Sequence, residues 1–334
     1  MARLGRGAHR RAGRRGARDR IRIRIRGGRM TGIRIRDVTL RDGLQLTGKP
    51  LPTERKVVLV RELLALGVEE LEIGSMARPD LVPAVADTLD VVAALTPGEL
   101  ERCWIWVATP RHVERARAAG ATRFQYCFSA SDSHNRANVG RDTETSVAAM
   151  PDAVAAAGPD GQVQLCIATS FTCPFEGEVP LERVAGILAD GRTAGASHVV
   201  IADTLGQAHP AEVTRRVGLA ARERPEAGLV FHGHDTWGLG VANALAAAGA
   251  GAGVLDGALG GLGGCPFAPG ASGNTATEDL AFGLRPSWAD PGSFAALVRL
   301  GQEVTGLLAE DDRARVLGGA LSERARAFPW TLQD

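Results

Sequence analysis

Ile33-Arg-Ile-Arg-Asp-Val-Thr-Leu40 runs directly into Arg41-Asp-Gly-Leu-Gln45, and this junction decides the fold. Alternating β-branched residues before the junction read as a strand. A helical stretch, Thr53–Leu66, follows it, with Thr53 expected as N-cap and Glu54 in the first turn, where the helix dipole favours a carboxylate. An open, doubly wound sheet would carry a G-x-G-x-x-G phosphate loop after such a first strand. Only Gly43 stands there, so that architecture is set aside.

The same strand-then-helix pattern recurs along the chain. Further strand-like runs lie at Val68–Ile73, Cys103–Ala108, Arg123–Phe128, Val163–Ala168, His198–Ala202, Leu229–His232 and Val254–Ala258. Helical stretches separate them: Leu81–Leu95, Arg111–Ala119, Thr143–Ala157, Leu181–Ala194, Pro210–Glu223 and Leu239–Ala248. Gly67, Gly120, Gly195 and Gly249 are placed as C′ glycines closing helices. Eight such units in about 250 residues imply a closed (β/α)8 TIM barrel, an α/β fold, with residues 30–334 as one catalytic domain. Residues 284–334 are expected to add one or two C-terminal helices.

Residues 1–29 differ from the rest, with 12 Arg and one acid, Asp19. They read as an Arg-rich disordered extension with Met30 as the equivalent start. A basic arm and a mitochondrial transit peptide are the other readings, the latter weakened by the absence of serine. The remainder carries 27 basic and 37 acidic residues, which argues against nucleic acid as the partner. No apolar run of 18 or more residues occurs, so no membrane partner is expected. Five widely spaced cysteines with no C-x-x-C pair suit reduced thiols in the cytoplasm. The two lysines, Lys49 and Lys56, leave few candidates for Schiff-base chemistry.

Active sites of such barrels form at the C-terminal ends of the strands. Arg41 and Asp42 close the first strand, Glu72 the second, Asp203 the sixth, and His232-Gly-His234 the seventh. Alternate residues of a strand face one side, so both imidazoles can reach one ion. With Asp42 opposite, this mixed nitrogen and oxygen set favours Mg²⁺ or Mn²⁺, with Zn²⁺ still open. After the eighth strand runs Gly260-Gly-Leu-Gly-Gly-Cys-Pro-Phe-Ala-Pro-Gly-Ala-Ser-Gly-Asn274, in which six of fifteen residues are glycine. Such a loop is costly to order and is expected to act as a lid, carrying Cys265 as a proton donor or acceptor. His134 follows the fourth strand and is a candidate for substrate contact. Cys103, Cys127, Cys166 and Cys173 are read as residues that fill space.

Arg41-Asp-Gly-Leu-Gln45, His232-Gly-His-Asp-Thr236 and Gly261–Asn274 together resemble the hydroxymethylglutaryl-CoA lyase family, over about residues 33–284. The resemblance implies a homodimeric TIM-barrel enzyme that acts on an acyl-CoA thioester with a divalent metal. It implies Asp42, His232, His234 and Asn274 as metal ligands. Arg41 would stabilise an enolate, and Cys265 would be the catalytic thiol. Glu72 and Asp203 match further acidic positions, and Gln45, Ser75, Asn138 and Thr204 are assigned to the substrate. The reaction implied is a retro-Claisen cleavage to acetyl-CoA and a 3-oxo acid such as acetoacetate, with Asp203 or His232 as base. Condensation of an acyl-CoA with a keto acid is the alternative. A catalytically silent barrel whose basic arm binds RNA or membrane is the third reading. The chain departs from the family at Gly74-Ser-Met-Ala-Arg-Pro-Asp-Leu-Val-Pro83, which lacks the family's aromatic residues. It departs again where Gln164 and Cys166 replace an expected Arg and Tyr, so the acyl pocket is expected to differ.

Overall fold

The computed structural model describes residues 24–26, 29–264 and 273–332. Eight parallel strands close into a barrel: β1 (Arg34–Asp37), β2 (Glu70–Ser75), β3 (Cys103–Val107), β4 (Arg123–Ser129), β5 (Gln162–Ala168), β6 (His198–Asp203), β7 (Gly228–Gly233) and β8 (Val254–Gly257). Each strand pairs with its sequence neighbour. β8 pairs with β1 through Val254–Arg34 and Leu255–Ile35, which closes the ring. All eight expected strands are present.

Strand parity divides the core in two. Phe124, Tyr126 and Phe128 of β4, with Val163, Leu165 and Ile167 of β5, pack outward against the helices. Cys127 of β4, Cys166 and Ala168 of β5, and Ala202 of β6 belong to a separate cluster inside the barrel. Below them the interior is polar. Arg36 donates twice to Asp256, at 2.8 and 2.7 Å, and once to Gln125 at 3.2 Å. Gln164 donates to Gln125 at 2.7 Å, and Gln125 donates to Glu72 at 2.5 Å.

Several helix expectations are corrected. Thr53 is the first residue of the helix Thr53–Leu66 and Pro52 is its N-cap; the Thr53 hydroxyl donates instead to Asp87 at 2.7 Å. Thr143–Ala157 is two helices, Thr143–Ala148 and Met150–Ala157, because Pro151 lacks the N–H that would continue the first. Leu81–Leu95 reduces to a short turn at Pro83–Val85 and the helix Thr88–Ala93. Leu181–Ala194 is a helix ending at Ala189 and a separate 3-10 turn, Gly191–Thr193, so Gly195 follows that turn and does not close the long helix. Gly249 lies inside its helix, and Gly251 takes the left-handed conformation instead. Gly67, at φ +104°, closes its helix as expected.

At the C-terminus, Asp290 caps the helix Pro291–Leu308 by accepting from Ser293 N–H at 2.8 Å. Phe282, Phe294 and Trp330 stack with ring centroids 5.2 to 5.7 Å apart, which ties the chain's end to the barrel. Ahead of the barrel, Arg24–Arg26 pairs antiparallel with Arg29–Thr31, so regular structure begins before Met30. Residues 1–23 of the expected extension lie outside the described residues. No described helix is long and apolar enough to cross a membrane.

Candidate active site

Arg41 and Asp42 do not close β1 as strand residues. They sit on a single helical turn, Thr39–Gly43, that follows it. The turn aims both side chains across the barrel mouth. Asp37, at the end of β1, secures it by accepting from Thr39 N–H at 2.9 Å and the Thr277 hydroxyl at 2.5 Å. Burial lifts the Asp37 carboxyl to about 6 against those hydrogen bonds.

His232 is the next-to-last residue of β7 and His234 lies just beyond the strand, bridged to Asn274. Their rings are 5.2 Å apart. One ligand atom from each of Asp42, His232 and His234 falls within 4.8 Å of the others. His234 Nε2 is 3.4 Å from Asp42 Oδ2, and the Asn274 amide donates to that same oxygen at 2.9 Å. Burial alone would raise the Asp42 carboxyl. Arg41, a hydrogen bond with His234 and the two imidazoles outweigh it and hold Asp42 well below the usual carboxylate range.

The donor set fits a hard or borderline divalent cation. The Asn274 carbonyl oxygen is buried without a hydrogen-bond partner, as an acceptor kept for a cation would be. His232 places Nδ1 3.1 Å from Asp256 Oδ2, which fixes the ring and leaves Nε2 to face the cluster. Burial would lower the His232 imidazole, but Asp256 and Asp42 raise it overall. Gly263, at φ +108°, admits this packing: a Cβ there would stand 2.5 Å from the Asn274 amide nitrogen.

Arg41 lies 2.5 Å from Asp42 and 3.8 Å from Glu72, with its guanidinium over the Trp106 ring at 5.3 Å. Its fork of donors is therefore fixed from three sides before any substrate arrives. Burial raises the Glu72 carboxyl despite Arg41 and Arg36. Glu72 holds Arg41 and Gln125 and does not line the cavity itself.

A cavity open to solvent at the barrel mouth lies above this cluster. Gln45, Asn138 and Thr204 line it, as expected of substrate residues. Ser75 does not; its hydroxyl accepts from Ala77 N–H at 3.0 Å and shapes the loop after β2. Asp203 ends β6 as expected, but its two oxygens accept from the N–H groups of Gln207 and Ala208, at 3.0 and 3.1 Å. Burial raises its carboxyl. Cys265 lies outside the described residues.

Cys127, read as a space filler, is corrected: it lines the cavity, as do Gln125, His134 and Cys166, the last already placed at the acyl pocket by the family resemblance. Strand parity was the available signal. Gln125 and Cys127, like Gln164, Cys166 and Ala168, are spaced by two on one face. Asp256 and Arg36, which orient His232, also went unread.

The HMGL-like family model matches residues 32–300. The chain belongs to the HMGL-like family. It is 32% identical to the hydroxymethylglutaryl-CoA lyase of Pseudomonas mevalonii, over 89% of this chain and 99% of that one. It is 38% identical to the (R)-citramalyl-CoA lyase of Chloroflexus aurantiacus, over 75% of this chain and 83% of the relative. Among solved structures, an HMG-CoA lyase from Acinetobacter baumannii, in complex with coenzyme A and 3-methylmalate, superimposes with a TM-score of 0.79. That match has 33% identity and covers 88% of this chain and 96% of the other. These HMGL-like relatives are carbon–carbon lyases, and this chain is an enzyme of that type.

Proposed function

We propose that the chain cleaves a 3-hydroxyacyl-CoA of the hydroxymethylglutaryl type by retro-Claisen chemistry, releasing acetyl-CoA and a 3-oxo acid such as acetoacetate. One observation carries this reading: Arg41 and the Asp42–His232–His234 cluster face the same cavity from separate strand ends. Asp42, His232, His234 and Asn274 would hold the cation, which we assign as Mg²⁺ or Mn²⁺. Bound there, the cation supplies Lewis-acid polarisation of substrate oxygen.

The chain's own groups do the rest. Asp203 is assigned the substrate hydroxyl proton. It ends β6 next to the cavity-lining Thr204, and burial raises its carboxyl, the direction a general base needs. His232 is less suited, since Nδ1 is engaged by Asp256 and Nε2 belongs to the cation cluster. As the hydroxyl oxygen becomes a ketone, the adjacent carbon–carbon bond breaks and its electrons pass to the thioester enolate. The Arg41 guanidinium, already oriented by Glu72 and Trp106, balances that charge. Cys265 is assigned to protonate the enolate carbon, on the family resemblance of its glycine-rich loop. Gln45, Asn138 and Thr204 would position the acyl chain and the thioester.

The test is a screen of 3-hydroxyacyl-CoA esters with Mg²⁺ or Mn²⁺ and mass detection of products, including the hydroxymethylglutaryl and citramalyl esters. Acetyl-CoA with a 3-oxo or 2-oxo acid supports the reading. Consumption of acetyl-CoA on adding keto acids, with no cleavage of any ester, would replace it with the condensing alternative.

A further inference from the structure

Cys127 and Cys166 sit at matched positions on adjacent parallel strands, β4 and β5, with their Cα atoms paired in register. Neighbouring strands lie about 4.8 Å apart. Both residues belong to the cluster inside the barrel and both line the substrate cavity. Neither thiol is in a disulfide. Two thiols in register on neighbouring strands, in a cavity open to the barrel mouth, make a bidentate soft-ligand set beside the Asp42–His232–His234 set.

We propose that Cys127 and Cys166 form a dithiol binding site for a soft thiophilic centre, of the trivalent arsenical class, within the wall of the substrate cavity. The geometry suits bridging by one arsenic atom better than direct oxidation. An arsenic atom bridging two sulfurs leaves them farther apart than the directly bonded sulfurs of a disulfide, so it asks less movement of two strands held in register. With phenylarsine oxide, both Sγ atoms bond to arsenic, both arsenic–oxygen bonds break, and the two thiol protons leave with the oxygen as water. Arsenic remains trivalent, so no oxidant or reductant is required. Occupancy places an aryl group beside Arg41 and Ala168 and excludes an acyl chain from that space. This inference rests on the cysteine pair alone and stands independently of the substrate assigned above.

The test is intact-mass titration of the full-length protein with phenylarsine oxide, read as adducts per chain. One adduct is expected, formed with loss of one water, released by a dithiol such as dimercaptopropanol and resistant to a monothiol. Peptide mapping of the wild-type adduct should join the peptides holding Cys127 and Cys166. Cys127→Ser and Cys166→Ser should each weaken binding by about 10²-fold, the chelate advantage of a second thiol. Cys103→Ser, Cys173→Ser and Cys265→Ser should leave it unchanged. An adduct that joins Cys265 to another cysteine, one that survives in Cys166→Ser at wild-type affinity, or no adduct in the folded wild-type chain would each overturn the proposal. The mapping needs no variant, so a substitution that fails to fold does not blunt it.

Discussion

The two faces of the barrel strands are built on opposite terms. On β4, Phe124, Tyr126 and Phe128 turn outward into a continuous apolar layer, while Gln125, Cys127 and Ser129 alternate with them. Outward residues meet helices and need only shape and volume. Inward residues meet one another around the barrel axis, where Arg36, Glu72, Gln125, Gln164 and Asp256 interlock. Each buried polar atom there costs free energy unless paired, so the interior is specified by hydrogen-bond partners. The outer face holds the fold together. The inner face positions Arg41 and His232.

The separation can be broken from either side. Phe124→Ala removes a fully buried ring from the outer layer and should cost about 3–5 kcal/mol of stability in chemical denaturation. Turnover per folded molecule should stay at the wild-type value; a matching loss of kcat would mean that the two faces are coupled.

Arg41→Met attacks the inner face at its rim. It should lower kcat by about 10²–10³-fold, as expected for loss of one preorganised donor, with little change in KM. A defect confined to KM would make Arg41 a substrate anchor.

Asp256→Asn tests whether the interior plug positions the site. Asn keeps the size but weakens the hold on His232 Nδ1 and the ion pair with Arg36. Metal affinity should fall by about 10–100-fold, the usual range for a group that orients a ligand. Unchanged metal affinity, with stability alone reduced, would restrict Asp256 to partnering Arg36.

How much of this was legible in the sequence follows the same division. The eight strands were readable because their β-branched and aromatic runs alternate with helical stretches. The rim residues Asp42, His232 and His234 were readable because they stand at strand ends. Cys127 and Asp256 were not, and Cys166 was placed at the pocket only through the family resemblance. Strands buried on both faces read as unbroken runs, and β5 is buried at every position from Val163 to Ala168, so burial does not mark which side turns inward. The Arg41–Asp42 turn was read as strand because nothing in Thr39–Gly43 signals one isolated helical turn. The breaks inside the expected Leu81–Leu95 and Thr143–Ala157 helices were misjudged for a different reason: apolar periodicity continues across each break.

A smaller effect bears on the rim. His134, hydrogen-bonded to Ser129 at 2.7 Å, is pushed down from 6.5 to about 4 by burial. A depressed imidazole favours the neutral form in the fold. Its contribution is therefore complete above pH 6.5 and is lost as pH falls toward 4. His112 and His198, also lowered to about 4, act in the same window. His134→Gln should remove about 3 kcal/mol of this pH dependence and leave the share of the other two. An unaltered stability profile between pH 6.5 and 4 would show that His134 is already charged in the fold.

The central claim, that Asp42, His232 and His234 form one cation site, is tested most directly by calorimetric titration of Mn²⁺ into the wild-type chain and His234→Ala. One site per chain is expected in the wild type, with affinity at least about tenfold weaker in the variant. Melting of the two metal-free proteins should be compared in parallel, to confirm that the variant is folded. Wild-type Mn²⁺ affinity in a folded His234→Ala variant would contradict the assignment.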